Sequence, residues 1–102
     1  MKVEWAGPAI FDVRAIKAYI AKDSTVYASR FAERIIEAAE SLQSLPLRGR
    51  IVPEAGAEDI RELLFGNYRI IYRVEPTRVL VMTVIHAARD LAGMEPKPWD
   101  VL

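Results

Sequence analysis

The stretch Ile60 to Leu91, IRELLFGNYRIIYRVEPTRVLVMTVIHAARDL, constrains this chain most. It reads as three consecutive strands. Ile60 to Phe65 ends at Gly66-Asn67, a tight-turn dipeptide between two strand-like runs. Tyr68 to Glu75 follows, then a turn at Glu75-Pro76-Thr77-Arg78 in which Pro presets the backbone. Val79 to His86 is almost wholly apolar, as expected for a central strand covered on both faces. Five arginines and the chain's one histidine lie among these apolar residues. Arginine is rarely buried unless paired. Arg78 falls in a turn, where water reaches it easily. Arg61, Arg69, Arg73 and Arg89 give the sheet either a charged working face or a set of internal ion pairs.

The rest of the chain supplies cover for that sheet. Val3-Glu4-Trp5 alternates and suits a first strand. Gly7-Pro8 marks a helix start, since Pro suits the first helical turn. Ile10, Val13, Ile16 and Ile20 carry that helix to about Lys22. Asp23-Ser24-Thr25 offers a stop and a new N-cap. Ala28, Phe31, Ala32, Ile35, Ala39 and Leu42 then form the apolar stripe of a second, amphipathic helix. Like and opposite charges on its other face roughly cancel, so the stripe must hold it in place. Leu45-Pro46 ends the helix, because the residue before Pro disfavours the α region. Arg48 to Glu58 is a loop. Residues 91–102, with Gly93, Pro96 and Pro98, form an irregular tail in which Trp99 needs a surface to rest on. The pattern is β-α-α-β-β-β, an α+β layer in one domain spanning 1–102.

Composition narrows the function. At 102 residues and 52% hydrophobic content, the chain has ample material for one core. No run of about 18 apolar residues is present, so no membrane span is expected. The N-terminus has no apolar h-region, which points to a cytoplasmic protein. Zero cysteines and one histidine leave no thiolate or His-cluster metal site, and no cofactor is expected. The 14 basic and 14 acidic residues cancel. Proteins that bind nucleic acid through phosphates usually carry a basic excess.

Alternation in the third strand puts Tyr68, Ile70, Tyr72 and Val74 on one face, suited to lie under the helices. Arg69, Ile71, Arg73 and Glu75 take the other. Arg69 and Arg73 are then about 13 Å apart along the strand, too far to clamp one small anion easily. In the fourth strand Leu80, Met82, Val84 and His86 alternate with Val79, Val81, Thr83 and Ile85. Each candidate has an ordinary structural reading too. Arg69 and Arg73 can pair with Glu62 or Glu75, His86 can be satisfied by backbone, Arg89-Asp90 can cap a turn, and Trp99 can anchor the tail.

Trp5, the Leu45 to Glu54 loop, Arg61 to Leu63, Tyr68 to Val74 and His86 to Leu91 together resemble the RelE/ParE toxin superfamily. The resemblance covers nearly the whole chain. It implies a toxin of a bacterial type II toxin–antitoxin system, bound in a hetero-oligomer by a cognate, ParD-like antitoxin. It implies one of two activities: ribosome-dependent mRNA cleavage, as in RelE-like members, or poisoning of DNA gyrase, as in ParE-like members. For a nuclease the candidate catalytic residues are Arg69, His86 and Arg89. For protein-target binding they are Arg69, Arg73, Arg89 and Trp99. Glu62 would repel phosphate, no Tyr follows the last strand, and the net charge is zero, so the ParE-like branch is the expectation. A degenerate, non-toxic binding partner is the third reading.

Overall fold

The computed structural model describes residues 1–102. The order is β1 (Lys2–Trp5), α1 (Gly7–Ala21), α2 (Thr25–Glu40), a 3-10 turn (Ser41–Gln43), β2 (Arg50–Ile51), β3 (Ile60–Phe65), β4 (Tyr68–Val74), β5 (Arg78–His86) and a second 3-10 turn (Pro98–Asp100). The sheet order is β1-β5-β4-β3-β2. β1 runs parallel to β5, and every other neighbouring pair is antiparallel. The sheet therefore has five strands rather than the four expected from sequence. The extra strand, β2, is only two residues long and pairs Arg50 with Glu62 and Ile51 with Arg61. No helix is long and apolar enough to cross a membrane.

Local signals set the helix ends. Pro8 lies in the first turn of α1. Ser24 caps α2, its hydroxyl accepting from the Tyr27 N–H at 3.1 Å. Ala28, Ala32, Ile35 and Ala39 form the buried stripe of α2, as the periodicity predicts. In α1 the buried positions are Ala9 and Val13, and Ile10 is displaced from the expected core face to the surface. The β3–β4 hairpin turns at Gly66, whose φ of 56° is the left-handed value that favours glycine in a two-residue turn.

The sheet carries a core on each face. Under the helices, Ile35, Leu42, Leu63, Ile70, Tyr72, Val79, Val81 and Val84 pack together, with Val3, Trp5, Phe31, Phe65 and Tyr68 around them. On the outer face, Val52, Ile60, Ile71, Leu80, Met82, Ile85 and Leu91 form a second cluster, with Met94 and Trp99 of the tail laid against it. Fully burying each such aliphatic side chain contributes about 1.5–3 kcal/mol. The outer face is thus mostly a covered core.

Strict alternation fails in β5. The pairing with β4 runs Ile71–Thr83 and then Tyr72–Val81, so a bulge intervenes. Val79, Val81 and Val84 face the helices, and Leu80, Met82 and Ile85 face outward. The bulge swaps the expected faces of Leu80 and Met82 relative to Val84. Just past it, β5 runs beyond the end of β1. There the Val84 N–H is taken by Asp12 Oδ2 of α1 at 3.0 Å, and the same oxygen accepts from the Thr83 hydroxyl. Asp12 stands in for the missing strand neighbour and satisfies the edge.

Candidate functional site

The residues expected to carry chemistry fall into separate places. Arg69 is on β4, opposite Ile85 of the outer cluster. Its side chain is only 8% exposed. Its Nε donates to Glu62 Oε1, and its Nη1 and Nη2 donate to the two oxygens of Glu54 at 3.0 and 2.8 Å. Glu62 is fully buried and also accepts from Arg50 Nε at 2.6 Å. Two arginines and two glutamates thus form a neutral network that ties the loop after β2 to β3 and β4. The fork on Arg69 has the bidentate geometry guanidinium also uses for phosphate, with a carboxylate of the same chain in that position. Hydrogen bonding to Glu54 raises the Arg69 pKa further above its ordinary value, opposed by burial. The Arg69 bond in turn holds Glu54 below the usual carboxylate range.

Arg73 belongs to a second chain of charges. Its Nε and Nη2 donate to Glu75 Oε2 at 3.0 and 2.8 Å, and its Nη1 reaches the Leu102 carbonyl at 2.8 Å. Glu75 also accepts from Arg78, which donates onward to Glu4. Arg78, expected to be solvated in a turn, is the first residue of β5 and half-buried in ion pairs. Arg61 donates to the carbonyls of Glu58 and Gly49, both at 3.0 Å.

His86 lies on the other side of the sheet. It pairs with Tyr68 in the β4–β5 register, and the two rings meet edge to face at 5.4 Å. They end an aromatic run through Phe31 and Tyr27. The His86 Nδ1 accepts from the Ala88 N–H at 3.0 Å. Arg89 is exposed without an ion pair, and borders a cavity between the tail and the start of α1. Trp99 rests on the outer cluster as an anchor for the tail. The suggested nuclease set of Arg69, His86 and Arg89 is therefore not brought together. Arg69 is locked on one face, and His86 is exposed on the other.

What the molecule does present is an apolar groove at the β1 edge. Trp5, Ile10, Val13, Arg14 and Ile36 line a cavity of about 310 Å³ between the two helices. Phe11, Tyr19, Val26 and Tyr27 add further exposed apolar surface on the same hairpin. Sequence periodicity missed this groove because it assigned Ile10 to the core. It also missed Glu54, the second partner of Arg69. The only sequence signal for Glu54 is its place in the Leu-Pro-x-x-Gly-Arg-x-Val-Pro-Glu loop.

The family model for the ParE toxin of the type II toxin–antitoxin system, parDE, matches residues 3–91. The chain belongs to this family.

A curated relative, Toxin RelE2 of Caulobacter vibrioides, is 37% identical over 89 residues, which is 86% of this chain and 97% of the relative. Among solved structures, the chromosomal ParDE system of P. aeruginosa superposes with a TM-score of 0.71 at 20% identity, over 84% of this chain and 95% of that one. The RelBE2 toxin–antitoxin complex of Mycobacterium tuberculosis gives 0.63 at 24% identity, over 83% and 95%. At those identities the two structures bear on the fold. Membership in the ParE toxin family rests on the residue 3–91 match. Within this ParE-family chain, the matched span ends where the tail begins.

Proposed function

We propose that this chain is a toxin of the ParE-like kind, which inhibits DNA gyrase in the cytoplasm and is neutralised by a cognate antitoxin in a hetero-oligomer. The observation that carries the reading is the engagement of Arg69 by Glu54 and Glu62, with His86 on the opposite face. Cleavage of RNA needs cations aimed at the phosphate and a proton-transfer group within hydrogen-bond reach of it. An arginine held by two carboxylates on one face and a histidine on the other do not meet that need together. On this reading the toxin is not itself an enzyme. The apolar groove of Trp5, Ile10, Val13 and Ile36, with Arg14 at its rim, supports an antitoxin that docks an amphipathic segment with an acidic residue across the helical hairpin.

The RelE-like reading, mRNA cleavage on the ribosome, is kept because the 37% relative carries the name Toxin RelE2. Purified protein decides between the two. Inhibition of gyrase supercoiling or trapping of cleaved DNA complexes, with ribosome-bound mRNA left intact, is the expected result. Codon-dependent cutting of mRNA with gyrase untouched overturns the proposal. Failure of both, with no growth arrest on induction, indicates a non-toxic binding partner.

A further inference from the structure

The tail beyond the family match is built differently from everything beneath it. Its backbone hydrogen bonds are local, from Met94 N–H to the Leu91 carbonyl and from Asp100 N–H to the Lys97 carbonyl. Lys97 likewise bonds within the tail, to Met94 and Glu95. No backbone bond joins residues 92–102 to a strand. The Arg73 bond to the Leu102 carbonyl is the one hydrogen bond from the sheet. Side-chain burial supplies the remaining attachment, chiefly through Met94, Trp99 and Pro98. The packing is also incomplete. A cavity of about 220 Å³ lies between the tail, β5 and α1, lined by Asp12, Met82, Thr83, Met94 and Pro98 among others. Beneath the tail, Ile71 and Met82 are fully buried, and β3, β4 and β5 are joined by backbone ladders interrupted once, by the bulge at Met82.

Segments open separately when few buried contacts and no shared backbone bonds tie them to the rest. We propose that residues 92–102 are a detachable strap, which leaves the sheet as a unit while the helices and ladders stay folded. The strap thereby gates access to an apolar outer face bordered by Arg73. Its resident occupant is this segment of the same chain, and the face becomes available to other proteins only when the strap opens.

The test exploits two neighbours on one strand. Val81 and Met82 are both fully buried, but Val81 lies under the helices and Met82 under the strap. The chain has no cysteine, so Val81→Cys and Met82→Cys each place a single thiol. Thiol labelling is followed on the folded full chain, after correction for each variant's own unfolding free energy. Strap opening predicts that Met82→Cys labels about tenfold or more faster than Val81→Cys. Adding Trp99→Ala should speed labelling at position 82 and leave position 81 unchanged. Equal corrected rates at both positions would show that only global unfolding exposes the outer face, and would overturn the proposal. Leu80→Cys against Val79→Cys repeats the comparison one pair along, should either first variant fold poorly.

Discussion

Arg69 and Glu54 are joined by two parallel hydrogen bonds, at 3.0 and 2.8 Å, across 15 residues of sequence. The same guanidinium holds the fully buried Glu62 through its Nε. Removing one partner of a buried pair costs far more than the pair itself is worth, because the other charge stays buried. Arg69→Ala should therefore destabilise the fold by about 3 kcal/mol, softened by the Arg50 contact that Glu62 keeps. Glu54→Gln should cost less, since Glu54 is partly exposed and Arg69 retains Glu62. Urea denaturation of the two variants checks the order. A neutral Arg69→Ala would mean that the network is not formed in solution.

Acid should loosen both this network and the chain of charges through Glu75. Hydrogen bonding to Arg69 holds the folded-state pKa of Glu54 below the ordinary glutamate value of 4.5. Arg78 first and Arg73 second do the same for Glu75. A depressed folded pKa gives stability that is fully present above the unfolded value and is lost as pH falls through the folded one. Thermal unfolding should thus be insensitive to these groups above about pH 5 and should drop progressively below about pH 4.5. Glu54→Gln should make that drop shallower. A melting temperature that rises on acidification would contradict the assignment.

Much of the fold is legible because its signals are local. Ser24, Pro8 and the apolar stripe of α2 mark the helices. Gly66-Asn67 and Pro76 mark two turns, and the apolar run through β5 marks a central strand. What sequence does not disclose is non-local. β2 has no alternation of its own and exists because Arg50 and Ile51 meet β3. The β5 bulge is visible only against β4, and it reassigns Leu80, Met82 and Val84 to faces that strict alternation gets wrong. The arginines divide the same way. Glu62 and Glu75 lie close enough in sequence to be candidates for Arg69 and Arg73. Glu54 comes from the Arg48 to Glu58 loop, which carries no periodicity to aim its side chain at Arg69.

Asp12 closes the exposed edge of β5, and its loss should be felt there. One carboxylate oxygen satisfies both the Thr83 hydroxyl and the Val84 N–H. Asp12→Ala leaves both donors without that partner, at about 1–3 kcal/mol. Asp12→Asn keeps an acceptor oxygen and should recover part of the loss. Guanidinium melts of the pair, with aggregation followed by light scattering, test the edge role. Equal stability of all three proteins would exclude it.

The groove at the helical hairpin predicts a separation of toxicity from neutralisation. Ile10 and Ile36 are 41% and 43% exposed, so charging either should cost the folded chain little. Buried against a partner, the same charge is unpaired and costly. Ile10→Glu and Ile36→Glu should remain toxic on induction yet escape rescue by co-expressed antitoxin, with binding weakened about tenfold or more. Full rescue with unchanged affinity would place the antitoxin elsewhere.

Gly49 gives the sharpest packing test. Its N–H donates to the buried Tyr72 hydroxyl at 2.9 Å, where the chain passes over β3. A Cβ at this position would meet the Glu62 carbonyl oxygen at 2.5 Å and the Tyr72 hydroxyl at 2.6 Å. Backbone has to move, so Gly49→Ala should cost about 1–3 kcal/mol and disturb β2 pairing. Tyr72→Phe removes the hydroxyl but leaves the Gly49 N–H without its partner, at about 1 kcal/mol. The double variant relieves only one of the two clashes, since the Glu62 carbonyl is backbone. Its loss should therefore be smaller than the sum of the singles, yet larger than that of Tyr72→Phe alone. A double-mutant cycle measured by denaturation reads this directly. Strict additivity would show that the added methyl group is accommodated away from Tyr72.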